Sequence, residues 1–112
     1  MRLTALAAVF SLIVTSSVDA KPPTFDGVAT HKDVDAYVSC VLQGYAKQWP
    51  GTRSSTFPEG RRIVIAPHEG TDGVAQMTVA NRNDGASLVM LRGAGLSLTT
   101  KRDLANVMRQ CR

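Results

Sequence analysis

Two cysteines, two histidines and six aromatic residues in 112 positions are a thin stock of reactive groups, and each shortage excludes something. Two Cys and two His at no recognisable ligand spacing do not make the tetrahedral set of a zinc site. Six aromatics, one of them Phe10, and the lack of any dense basic run leave neither the stacking platform nor the charged stripe of a nucleic-acid binder. Beyond residue 20 no apolar stretch approaches the roughly 20 residues that cross a bilayer. There is no internal repeat, no low-complexity tract and no Asn-x-Ser/Thr acceptor. The length permits one domain, too little for a dinucleotide fold or a two-lobed enzyme. The Gly93-Ala94-Gly95 run also lacks the strand–GxGxxG–helix setting that dinucleotide binding requires.

What is present begins with an address. Residues 1–20 carry Arg2, a twelve-residue apolar run at 3–14, and Val18 and Ala20 three and one residues before a cut. That is the pattern of a secretory signal cleaved after Ala20, and it predicts export, to the periplasm or alternatively to the medium. Cleavage removes Arg2 and Asp19 together, so the net charge stays at +4. Export places Cys40 and Cys111 in an oxidising compartment, where an even count predicts a disulfide, and two cysteines allow a single pairing. The competing reading, a nucleophilic thiol with His68 as its base, is disfavoured because exported thiols beside a partner oxidise.

Along the rest of the chain, residues 21–30 (KPPTFDGVAT) read as an extended leader. Val34, Tyr37, Val38, Val41, Leu42, Tyr45 and Trp49 recur at three- and four-residue steps, which predicts a helix over 31–49 capped by Thr30 and ended by Pro50-Gly51. Residues 51–60 have the composition of a loop. Three strands are expected at 61–66, 74–80 and 86–92, joined by turns at 68–73 and 81–85. Leu104, Val107, Met108 and Cys111 then mark the apolar stripe of a second helix, opened by Thr100. The expected fold is α+β: an α-β-β-β-α domain over 31–112, with a three-stranded antiparallel meander, both helices on one face, and a Cys40–Cys111 disulfide joining them.

Such a layout leaves one sheet face open. The residues expected to bind there or near it are Arg53, Phe57, Arg61, Arg62, Gln76, Thr78 and Met90. The last strand is apolar on both sides (Leu88, Val89, Met90, Leu91): either residues 96–98 fold back to cover it, or the strand order places it centrally, or, at a meander's edge, it pairs with a partner or a second copy. The one cluster of catalytic residue types, His68, Glu69 and Asp72, falls in a short turn and reads better as turn punctuation than as an active site. No cofactor or metal is expected. The sequence therefore points to a non-enzymatic, disulfide-stapled interaction protein of the cell envelope, of inhibitor or immunity type, binding a protein partner. The alternatives are a small enzyme or ligand binder using the His68 turn, and a binder of anionic envelope lipid or polysaccharide drawn by the +4 charge.

Overall fold

The computed structural model describes residues 22–112 except Glu59, Glu69 and Asn83; the expected signal at 1–20 lies outside the described residues. Seven elements follow in order: β1 (Thr24–Thr30), α1 (Val34–Ala46), β2 (Arg53–Phe57), β3 (Gly60–Ile65), β4 (Ala75–Asn81), β5 (Ser87–Arg92) and α2 (Leu98–Gln110). The domain is α+β, with two helices, the Cys40–Cys111 disulfide, and a five-stranded antiparallel sheet in the order β1-β5-β4-β3-β2.

The expected meander is the centre of this sheet, β3-β4-β5, and a strand has been added on each side. The segment read as a leader is β1, which pairs with β5 from Thr24 opposite Arg92 to Thr30 opposite Ser87. The segment read as a loop is β2, which pairs with β3. Of the readings open for the apolar 88–91 strand, central placement holds and the self-associating edge does not: β5 lies between β1 and β4, and its ladder groups are used on both sides. The true edges are short or irregular. β2 has five residues, four of them polar, and β1 carries Asp26, Gly27 and a register shift between Thr24 and Asp26, features that blunt further pairing. With neighbours antiparallel throughout, β1 and β2 run in the same direction at opposite edges, and α1 carries the chain across between them.

Both helices begin elsewhere than the Thr-x-x-Asp patterns suggest. Asp33 rather than Thr30 caps α1, its carboxylate accepting from the Ala36 N–H at 3.2 Å. Thr30 instead accepts from the Lys32 N–H, in a turn just before the helix. Ser97 rather than Thr100 caps α2 and accepts from the Thr100 N–H at 3.1 Å. In each case the hydroxyl or carboxylate nearest the chain reversal wins, because a cap must sit where the backbone leaves the helical conformation.

One face of the sheet carries the core. Ile63, Ile65, Met77, Val79, Val89 and Leu91 alternate inward and meet Tyr37, Val38, Val41 and Tyr45 of α1 and Leu104 and Met108 of α2, all buried. The alternation in β3, β4 and β5 is the period-two signature of a sheet covered on one side. α1 lies over β2 and β3, and α2 over β1 and β5. Cross-links repeat on both flanks: Arg61 of β3 pairs with Asp35 of α1 at 2.7 Å, and Arg109 of α2 pairs with Asp26 of β1 at 2.6 Å. These exposed pairs set register more than stability, at about 0–1 kcal/mol each.

The helices approach closely at Gly44, where a Cβ would lie 2.6 Å from Val107 Cγ1. Ordinarily Gly→Ala inside a helix gains up to about 1 kcal/mol. Here the added methyl forces α1 and α2 apart, and overpacking of this kind costs about 1–3 kcal/mol. Gly44→Ala is expected to destabilise the protein by about 1 kcal/mol, and to become stabilising once Val107→Ala makes room. Urea midpoints of the two single variants and the double variant check the sign reversal.

Candidate functional site

The two helices leave the other face of the sheet bare, and the strand register places its residues in three rows. Arg53, Val64, Gln76 and Arg92 form one, Ser55, Arg62, Thr78 and Met90 the next, and Phe57, Gly60, Ala80 and Leu88 the third. Rows are separated by two residues, about 7 Å along the strands. Six of the seven residues singled out in the sequence (Arg53, Phe57, Arg62, Gln76, Thr78 and Met90) are therefore brought together on this face. Arg61 is not. Its odd–even position points it to the helix side, where it donates to Asp35 and, at 3.2 Å, to Ser54 Oγ.

Two adjoining grooves follow these rows. One, of about 210 Å³, is bounded by Phe57, Arg62, Thr78 and Met90. The other, of about 300 Å³, lies at the sheet end under Val64, Val74 and Gly93, and both share Gln76 and Arg92. Small-molecule sites usually enclose about 300–1,000 Å³; the 210 Å³ groove falls below that range, suiting a protruding side chain, and the 300 Å³ groove stands at its lower limit.

The electrostatics of the face are one-sided. Its rows hold Arg53, Arg62 and Arg92 and no carboxylate, and among the described residues none of the three arginines is in an ion pair. The Arg62 guanidinium stacks over the Phe57 ring at 5.4 Å, a cation–π contact that holds its plane. Beneath it, Arg62 Nε and Thr78 Oγ1 are shut off from solvent without a hydrogen-bond partner among the described residues. Groups in that state are rare in folded proteins, since each forfeits its water without replacement.

Arg92 belongs to this face and is not among the residues expected from the sequence to bind there. The available signal is parity: it lies two and four residues after Met90 and Leu88, and so shares their face.

The His68 turn has a different character. Its backbone is closed locally, with the His68 N–H donating to Thr71 Oγ1 and the Thr71 hydroxyl donating to the His68 carbonyl at 2.6 Å. His68 and Asp72 are exposed and border neither groove; Glu69 lies outside the described residues. Among the described residues no group of three His, Cys, Asp or Glu side chains is arranged to hold a metal ion, and no helix is long and apolar enough to cross a membrane.

Compared with family models, curated proteins and solved structures, the chain matches none.

Proposed function

We propose that this chain is an exported, non-enzymatic interaction protein of the cell envelope, of inhibitor or immunity type, that docks a protein partner on the open face of its sheet. The observation that supports this reading is the composition of that face. Phe57, Leu88 and Met90 lie half-buried among Arg53, Arg62 and Arg92, and aromatic, Met and Arg side chains are the types enriched in the cores of protein interfaces. The helices and the disulfide brace the sheet from behind, so the face is presented on a rigid support and little ordering is needed on binding. The disulfide fits the oxidising compartment that the signal pattern at 1–20 implies; the periplasm is our preferred location within it.

Envelope extract passed over the immobilised protein tests this by comparing faces. Arg62→Gln is expected to weaken capture of the partner by at least about tenfold, or 1.4 kcal/mol. Arg102→Gln, the same charge loss at an exposed position of α2, leaves capture unchanged, and the thermal midpoint is the same in both variants. Equal loss in the two variants, or capture indifferent to Arg62, would assign binding to another surface.

A further inference from the structure

Taking the open face as a protein-docking surface, we infer that its occupant is an extended acidic segment of the partner, with a carboxylate held between Arg62 and Arg92 and the neighbouring apolar side chain seated against Phe57 and Met90. The inference rests on that docking reading and adds the chemistry of the ligand.

Three observations carry it. The first is charge. Two guanidiniums without an ion pair among the described residues flank Gln76 and Thr78 of the central strand from opposite sides, Arg62 from β3 and Arg92 from β5. Sheet spacing puts their Cα atoms about 12 Å apart, within reach of two long side chains that converge on one group. An arginine fork matches a carboxylate in plane and spacing, so the pair selects an acidic side chain over a neutral one.

The second is unmet hydrogen bonding. Arg62 is held over Phe57, and among the described residues its Nε and the hydroxyl of Thr78, directly opposite on β4, lack partners. A carboxylate seated at this pair supplies acceptors that the free state leaves unmet.

The third is spacing. The arginine-bearing rows and the row holding Phe57 repeat at about 7 Å, the distance between side chains i and i+2 of an extended chain. A segment lying along the strands thus places an acidic residue and an apolar residue two positions on in successive rows. A lipid headgroup offers the anion without the side chain, and the 210 Å³ groove has room for one such side chain.

The test is a titration of the isotope-labelled, disulfide-bonded protein with a capped octapeptide in which Glu and Leu take turns at every second position with Thr between them, so that both lie on one face of the extended chain, followed by amide chemical shifts. A Gln-for-Glu version of the peptide and vesicles of phosphatidylglycerol in phosphatidylcholine form the other arms. The expected result is saturable shifts at Arg62, Gln76, Thr78 and Arg92, at least about tenfold weaker for the Gln peptide, and weakened about fivefold or more by Arg62→Gln and by Arg92→Gln. Affinity should also fall with added salt. Equal response to both peptides, shifts confined to another surface, or no response at millimolar peptide overturns the inference. Sedimentation with the anionic vesicles in the absence of a peptide response assigns the face to membrane and overturns it as well. Face-dependent capture of a partner without any preference for Glu sinks the acidic segment and leaves the docking surface standing. A Glu-selective response without any captured partner does the reverse.

Discussion

Cys40→Ala combined with Cys111→Ala is expected to lower the stability of the protein by roughly 4 kcal/mol, a shift in Tm on the order of 20 °C for a domain of this size. The bridge joins residues 71 apart, one in the middle of α1 and one just past the end of α2, with Cα atoms 5.8 Å apart. Released, the unfolded chain regains the entropy of that long loop, and the loss is a large part of the 5–15 kcal/mol that typical domains possess. Urea denaturation of the oxidised protein, the reduced protein and the double variant measures it. A change below about 1 kcal/mol would mean that packing alone sets the two helices side by side. Because the bridge lies on the helix side, the variant is expected to keep its open face, and with it the proposed partner binding, under conditions where it remains folded.

Tyr45→Ala is expected to cost about 3–5 kcal/mol, the range for deleting a large buried aromatic. Tyr45 is fully buried and packs edge-on against Trp49, with ring centroids 5.9 Å apart. Its hydroxyl donates to the Leu104 carbonyl at 2.7 Å, so one side chain of α1 both fills the core and ties it to α2. Tyr37 does the same about two helical turns away, donating to the Met108 carbonyl at 2.8 Å. Tyr45→Phe keeps the ring and is expected to cost only about 1 kcal/mol, and calorimetry of the two variants separates packing from hydrogen bonding.

The same two phenols give the protein an alkaline limit. Burial pushes both well above the ordinary tyrosine range; Tyr37 adds to the effect at Tyr45, and Arg112 opposes it at Tyr37. Unfolded tyrosines lose their protons near pH 10 while the folded ones keep theirs. The unfolded state then binds fewer protons, so stability holds below about pH 10 and declines above it. These are the only tyrosines in the chain, which makes phenolate absorbance a direct report. It should rise together with the loss of helical circular dichroism. Ordinary titration near pH 10 in a protein that stays folded would contradict the buried hydrogen bonds to α2.

Both helices, the three central strands and the disulfide were legible in the residues because each has a strong local cause. The i, i+3, i+4 stripes from Val34 to Tyr45 and from Leu104 to Cys111 have one helical solution, and Ile63, Met77 and Val79 alternate as only a half-covered sheet requires. The helix starts were misplaced by two or three residues because Thr30 and Thr100 are chemically competent caps, and only the path of the chain selects Asp33 and Ser97. Arg62, Gln76 and Thr78 could be named from parity along their strands and Met90 from the apolar last strand, whereas Arg53 and Phe57 were expected in a loop and reach the face because 53–57 is a strand. Arg61 went astray because it was grouped with the preceding loop; as a β3 residue it shares parity with buried Ile63 and so faces the helices, where it meets Asp35.

From its own residues, then, the chain determines two amphipathic helices, an alternating sheet centre and a sulfur bridge, since side-chain periodicity and thiol pairing act through short-range geometry and an even count. Only the tertiary structure decides that the Thr24–Thr30 and Arg53–Phe57 segments become the outer strands. Thr24–Thr30 is interrupted by Asp26 and Gly27 and Arg53–Phe57 is mostly polar, so neither shows the apolar alternation of a strand, and they are extended because β5 and β3 offer unfilled ladders. That long-range pairing moves the apolar last strand into the interior of the sheet and gathers Arg53, Arg62 and Arg92 onto one uncovered face.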